Sequence, residues 1–240
     1  MTLPVPSFAS PPEDYAPRDP PSGCDPTPKP GVELFRDFVL TQLGGESSGI
    51  YRPCELGGPS HHHEGRAWDW RVDASNPQDA AAVDTLLDWL LAPDEHGEPH
   101  AMLRRAGIDY IIWDAAIWNA RTRSWEAYDG FDEQGRCAAP GGCRSPHRDH
   151  VHFSFGWPGA RAETSFYDWL RNGDQPQPPS PLPIEAPVPL RKRSELPPPA
   201  TLSGGALLTG VASFAAGYYL VRRAQRASTG VGKRPATRRV

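Results

Sequence analysis

The sequence predicts an α+β fold, and three features of the chain support this class. Strand-like runs begin near residues 66, 108, 116, 125 and 150, with helix-like runs mostly before and between them, an order typical of α+β domains. Prolines are concentrated in two stretches, ten in residues 1–30 and ten in residues 174–200. A run of twenty residues without a charge follows the second stretch. We therefore expect one folded domain between two proline-rich segments, and an apolar helix after the second.

The proline distribution divides the chain into five segments. Proline-rich segments of low hydrophobicity do not bury enough apolar surface to offset the entropy that is lost on ordering. We therefore expect a disordered tail, one globular domain, a proline-rich linker, a transmembrane helix and a basic tail. Their boundaries are 1–23, 24–173, 174–201, 202–221 and 222–240.

Apolar residues at helical spacing predict four helices in the domain. The run from Val32 to Leu43 carries an apolar stripe and stops at two glycines. Asn76 followed by proline is typical of a helix start, and Pro93 ends that helix. Shorter helices are predicted from Pro99 to Arg105 and from Ser165 to Leu170.

The strands predicted around residues 66–72 and 150–155 each have a polar and an apolar face. Successive side chains of a strand point to opposite sides of a sheet. Asp69 therefore lies opposite the neighbouring tryptophans, while His150 and His152 lie opposite Val151 and the phenylalanines that follow. Further strands are predicted over residues 108–113, 116–118 and 125–128.

Two clusters of histidine and carboxylate residues lie about eighty residues apart, and we expect them to close on one metal ion. Zinc accepts both ligand types, and a catalytic zinc takes three protein ligands and keeps one position open for water. His62 precedes Asp69 by seven positions, and the second cluster runs from His147 to His152. His61 and His63, which flank His62, are interpreted as part of a solvated loop without a role.

This arrangement resembles the zinc peptidases of the lysostaphin, D-alanyl-D-alanine peptidase and hedgehog group. Their pattern is Ser-x-His-x-x-Gly-x-Ala-x-Asp, followed much later by His-x-His. The matching residues here are Ser60, His62, Gly65, Ala67, Asp69, His150 and His152. The resemblance implies that His62, Asp69 and His152 bind Zn2+ on a small antiparallel sheet, with helices packed outside. The domain also resembles a family of secreted bacterial and fungal domains.

The resemblance further implies a hydrolase that cuts amide bonds, with peptidoglycan or another peptide as substrate. The catalytic base in that group is an acidic residue three before the last ligand, or the first histidine of His-x-His. Asp149 and His150 are therefore both candidates, and Asp149 is one methylene shorter than the usual glutamate. The alternative function is a zinc-containing module that binds the cell wall without cutting it. The bond that is cleaved stays open.

Three aromatic residues are candidates for a substrate groove. Aromatic faces can hold a sugar or a peptide, and Trp118, Trp125 and Tyr128 lie in the strands predicted over residues 116–118 and 125–128. Plain packing in the core is the competing interpretation for all three.

Four cysteines lie inside or at the edge of the domain. An even number without a Cys-x-x-Cys pair favours disulfides in an exported domain, and free thiols in a cytosolic protein are the alternative. A bond between Cys24 and Cys54 would tie the N-terminal tail to the segment before the first histidine cluster. A bond between Cys137 and Cys143 would close a glycine- and proline-rich loop before the second cluster.

The charge distribution argues against nucleic acid as a partner and for a membrane. Residues 1–201 carry 18 basic and 29 acidic side chains, a net of −11, whereas a nucleic-acid binder shows a basic patch on its folded domain. Residues 202–221 are long enough to cross a hydrocarbon core of ~30 Å. Residues 222–240 carry seven Lys or Arg and no acid, which predicts a cytoplasmic tail and an extracytoplasmic domain. No signal-peptide pattern is visible in residues 1–23, so the route of export stays open.

Overall fold

The computed structural model describes residues 2–173, and their centre is a six-stranded antiparallel sheet. The strands lie in the order β1-β2-β6-β3-β4-β5, and every neighbouring pair is antiparallel. Their bounds are β1 Glu46–Gly49, β2 Ala67–Arg71, β3 Ile108–Trp113, β4 Ala116–Asn119, β5 Ser124–Ala127 and β6 His150–Phe155. The predicted α+β class and the antiparallel sheet are confirmed.

Five helices and one 3₁₀ turn accompany the sheet in the described part of the chain. They are α1 Pro30–Leu43, the 3₁₀ turn His61–Glu64, α2 Pro77–Leu91, α3 Ala101–Ala106, α4 Trp157–Ala160 and α5 Ser165–Asn172. The side chain of Asn76 caps α2 by accepting from the Gln78 N–H at 3.0 Å, as predicted. Strand β1 and the one-turn helix α4 were not predicted. Strand β1 is largely exposed and lacks apolar alternation, so its residues carry no strand pattern.

The core lies on one face of the sheet, under α1. The apolar residues of β2 and β6 are fully buried there, as their alternation predicts: Trp68, Trp70, Val151, Phe153 and Phe155. Phe35 of α1 contacts the rings of Trp68 and Phe153, with centroid distances of 6.1 and 5.3 Å. Packing of this face against α1 leaves the opposite, polar face of β2 and β6 free for a site.

Residues 2–23 form an extended N-terminal strap along the domain, so the prediction of a disordered tail is wrong. Helix α2 donates to the strap through the indole of Trp89, which bonds the Pro4 carbonyl at 2.7 Å. Helix α3 donates through Arg104 to the Pro12 carbonyl at 3.1 Å and through Arg105 to the Ser10 carbonyl at 2.8 Å. The strap cannot build a core, yet its carbonyls satisfy side-chain donors of the domain, and these bonds order it.

Both predicted disulfides are present. Cys24 is bonded to Cys54 and Cys137 to Cys143, with Cα–Cα distances of 5.8 and 5.7 Å. Within residues 2–173, none of the helices has both the length and the apolar character that a membrane span requires. The predicted linker, transmembrane helix and basic tail, residues 174–240, lie outside the described residues.

Candidate metal centre

The sheet brings the two histidine and carboxylate clusters together on its polar face. Asp69 of β2 and His152 of β6 are direct cross-strand partners. His62 reaches them from the 3₁₀ turn, which Ser60 begins by accepting from the His62 N–H at 3.3 Å. Gly65 ends the turn at φ 63°, where a Cβ would overlap the Thr27 carbonyl oxygen. Only glycine fits this position, because the backbone is left-handed and the segment around Thr27 passes in contact with it.

Three ligand atoms, one from each of these residues, form a small triangle. His62 Nε2 lies 3.2 Å from His152 Nδ1 and 3.3 Å from Asp69 Oδ1. The third edge, from His152 Nδ1 to Asp69 Oδ1, is 2.9 Å. A tetrahedral ion with bonds of ~2.0–2.1 Å separates its ligand atoms by about 3.3 Å. The group can therefore hold a metal ion, as the geometry of its three ligand atoms indicates.

Hydrogen bonds outside the triangle orient both imidazole rings. His62 Nδ1 lies 2.8 Å from the Ile50 carbonyl oxygen, which can only accept, so Nδ1 carries the proton. His152 Nε2 lies 2.9 Å from Ser154 Oγ, which accepts a hydrogen bond from the Nε2–H in the metal-binding tautomer. Both inward nitrogens then present lone pairs beside the carboxylate. Such outer bonds to histidine ligands are typical of metal sites, and a cation relieves the repulsion between three lone pairs.

Burial and charge favour the ligand forms of these groups. Burial acts to raise the pKa of Asp69, but the hydrogen bonds that His152 and His62 donate when their inward nitrogens carry a proton outweigh burial and hold that pKa well below its usual range. Burial lowers the pKa of His152, against the effect of Asp69. An ionised carboxylate and a neutral imidazole are the forms that bind a metal.

Asp149 and His150 lie at the rim of the triangle and are hydrogen-bonded to each other. His150 Nε2 is 3.8 Å from Asp69 Oδ1, so its ring faces the ligand atoms. Its other nitrogen, Nδ1, is 2.9 Å from Asp149 Oδ1. The Asp149 side chain is 85% exposed and lies on the far side of the imidazole ring. Of the two, His150 is therefore the one that faces the ligand atoms directly.

The structure adds to the site His147, which was not among the predicted site residues. Its ring centroid lies 4.6 Å from that of His150 and 5.9 Å from that of His152. Burial, with these two histidines, lowers the pKa of His147 to about 4. The backbone here has φ 50°, and the turn between β3 and β4 holds it by donating from Asp114 N–H to the His147 carbonyl at 2.9 Å. Its membership of the second histidine cluster was the available signal.

The predicted aromatic groove is corrected by the structure for two of its three residues. Trp118 and Trp125 are cross-strand partners with 1% and 7% exposure, on the core face of the sheet. They offer no surface to a substrate, because β4 and β5 turn these side chains away from the polar face. Tyr128 differs: it is partly exposed, and its ring lies 5.1 Å from His147, beside the metal centre.

His61 and His63 are buried, so the prediction that they lie in a solvated loop is wrong. They are 2% and 5% exposed. His61 Nε2 bonds the Asp19 carbonyl of the strap at 3.0 Å, and His63 Nε2 bonds the Leu56 carbonyl at 2.9 Å. They flank His62 and anchor the 3₁₀ turn on its two sides, so their role is in holding the turn.

Comparison with known families gives one match. The family model described as VldE, C-terminal domain, matches residues 24–136. This similarity covers less than half of the chain and includes His62 and Asp69, but it ends before His147 and His152. No match was found among curated proteins or solved structures.

Proposed function

We propose that the domain is a zinc-dependent hydrolase that cleaves amide bonds, with His62, Asp69 and His152 as the zinc ligands. The triangle of ligand atoms with edges of 2.9–3.3 Å carries this proposal. Two histidines and one carboxylate form a set that zinc accepts, and three protein ligands leave a fourth position open. This open position distinguishes a catalytic zinc site from a closed structural one.

The surroundings of the triangle leave room for a substrate. Both histidine ligands are buried, whereas the Asp69 side chain is 20% exposed. Gly49 is the cross-strand partner of Asp69 on β1, and it places no side chain over the ligand. A Cβ added at Gly49 would meet only the Tyr51 carbonyl oxygen, at 3.9 Å, so a side chain at this position would point into open space. A substrate can therefore approach the ligands from the β1 side.

A zinc ion held by His62, Asp69 and His152 would acidify a water molecule and polarise the carbonyl group of an amide. In our proposal, His150 accepts the proton of the attacking water and passes it to the leaving amine, which is general acid–base catalysis. Asp149 bonds the opposite nitrogen of His150, fixes its ring and stabilises the protonated imidazole. His147 packs against the His150 ring and is a second candidate for proton transfer. Tyr128 is the aromatic residue that we propose for substrate contact.

Peptidoglycan is the substrate that we propose, on the resemblance to cell-wall peptidases and on the proposed placement of the chain. The two disulfides suit an oxidising compartment outside the cytoplasm. In polyproline II form, a linker over residues 174–200 would reach roughly 80 Å at ~3.1 Å per residue. In this proposal residues 202–221 anchor the domain outside the membrane, and residues 222–240 lie in the cytoplasm.

Incubation of the purified protein with zinc and isolated sacculi tests the proposed activity. We expect new amino groups in the soluble products by mass spectrometry. His150→Gln should lower their rate of release by at least ~100-fold, as for loss of a general base, without changing zinc content. Zinc-dependent retention on sacculi without any new amine would instead show the non-catalytic wall-binding module.

The proposed placement is tested in intact cells. External protease should remove residues 1–200 and leave the basic tail protected. A thiol reagent without reductant should label none of the four cysteines. Resistance to protease until the cells are broken, with labelling of all four cysteines, would show a cytosolic domain and exclude the wall as substrate.

A further inference from the structure

We propose that Ser154 is a positioning residue that selects the metal-binding tautomer of His152, and thereby sets the zinc affinity of the centre. This inference rests on the proposed function, because it requires that His152 is a zinc ligand. Ser154 lies two residues beyond His152 on β6, so both side chains lie on the polar face of the sheet.

The contact between the two residues is buried. Ser154 is fully buried and His152 is 6% exposed. Ser154 Oγ lies 2.9 Å from His152 Nε2, the nitrogen that points away from the ligand triangle. Ala67 of β2 and Tyr110 of β3 are the cross-strand neighbours of Ser154. The methyl group of Ala67 cannot replace the hydroxyl as a hydrogen-bond acceptor.

Tyr110 fixes the geometry of this contact. Its ring is stacked on the His152 ring, with centroids 5.5 Å apart and planes inclined by 21°. The stacked ring holds the imidazole plane, so Nε2 stays directed at Ser154. Burial raises the pKa of Tyr110 to about 12, and hydrogen bonding by Ser154 opposes this shift. When the Ser154 hydroxyl donates its single proton to Tyr110, it is left to accept from His152.

The position of one proton decides whether His152 can bind a metal. With the proton on Nε2, His152 donates to Ser154, and Nδ1 presents a lone pair to the triangle. With the proton on Nδ1, His152 donates to Asp69 Oδ1 at 2.9 Å, and this nitrogen cannot be a ligand. With the proton on Nε2, removal of the Ser154 hydroxyl would leave a buried N–H without an acceptor. With the proton on Nδ1, the N–H still donates to Asp69 and keeps its acceptor. Ser154→Ala therefore favours the tautomer that does not bind zinc.

Zinc affinity, measured by competition with a chromogenic chelator, tests this inference. We expect the Kd for zinc to rise 10–100-fold in Ser154→Ala, the range typical for loss of a partner that orients a histidine ligand. Ser154→Thr keeps the hydroxyl and should restore the affinity to within about threefold. Ser47→Ala is the matched control, because Ser47 Oγ also accepts from a ring N–H, that of Trp68, at 3.0 Å and outside the metal centre. Its Kd for zinc should be unchanged.

Two further measurements separate positioning from stability. The unfolding midpoint of the metal-free proteins reports structural damage, and the absorption spectrum of the Co2+ form reports the ligand set. If Ser154→Ala does not fold, Ser154→Cys, with its weaker sulfur acceptor, should show an intermediate loss of affinity. Wild-type affinity in the folded Ser154→Ala protein, or an equal loss in Ser47→Ala, would overturn this inference alone. Failure of the unsubstituted protein to bind zinc would overturn both this inference and the proposed metal centre.

Discussion

Replacement of His62 by glutamine should abolish tight zinc binding, whereas the same change at His63 should not. His62 contributes one corner of the ligand triangle, 3.2 Å from His152 Nδ1. His63 is equally buried but directs its Nε2 at the Leu56 carbonyl, away from the triangle. Glutamine can still donate to that carbonyl, so His63→Gln preserves the local hydrogen bond. Both variants replace a buried histidine by glutamine, but only His62→Gln removes a proposed zinc ligand.

The magnitude follows from the geometry and from binding linkage. The shortest edge of the triangle, 2.9 Å, needs to open by about 0.4 Å to fit a tetrahedral zinc ion. The unsubstituted site is therefore close to its bound shape. With free zinc at 100 times the Kd, binding stabilises the domain by ~2.7 kcal/mol, and the unfolding midpoint rises by about 5–10 °C. Loss of a ligand raises the Kd by more than about 100-fold, which leaves at most ~0.4 kcal/mol at the same zinc concentration.

Thermal unfolding in zinc-buffered solution, with and without a chelator, measures this difference. We expect the zinc-dependent shift to disappear in His62→Gln and to persist in His63→Gln, after comparison of the metal-free midpoints. A full shift in His62→Gln, with stoichiometric zinc after dialysis, would refute the assignment of His62. Equal loss of the zinc-dependent shift in both variants would show that any disturbance of the 3₁₀ turn is sufficient to prevent zinc binding.

Two more predictions concern stability. Burial raises the pKa of Asp109 to about 6; Asp19 acts in the same direction, and Arg66, Arg18 and Arg121 oppose the shift. Because the pKa in the folded state lies above the unfolded value, the free energy of unfolding falls as pH rises from about 4 to 6. Asp109→Asn should therefore stabilise the domain by up to ~3 kcal/mol at pH 7 and little at pH 4, and a pH-independent effect in urea titrations would contradict this. Removal of Cys24–Cys54, with a sequence separation of 30, should cost about 3–4 kcal/mol, against ~2 for Cys137–Cys143 with a separation of 6. Only removal of Cys24–Cys54 should also weaken zinc binding, because Cys24 and Cys54 belong to the two segments that flank the 3₁₀ turn. Equal zinc affinities in the proteins lacking Cys24–Cys54 and lacking Cys137–Cys143 would refute this.

Local patterns in the sequence were sufficient to predict most helices and strands, and the resemblance named the three residues that the structure shows could hold a metal ion. The alternation in β2 and β6 placed Asp69 and His152 on the face opposite the core, and the cross-strand pair is where the pattern predicted it. The cap at Asn76 marked the start of α2. These features depend on side-chain period and on capping, which act over a few residues and can be read along the chain.

Only the tertiary structure decided how distant segments complete the site. His147 reaches the centre because the β3–β4 turn holds its backbone at a positive φ. The N-terminal strap is ordered because Trp89 and two arginines of the domain find acceptors in its carbonyls. Trp118 faces the core, although it resembles a groove residue in the sequence. The physical reason is the same in each case: composition shows which groups can bond or pack, but the partner that satisfies them is set by the packing of the sheet.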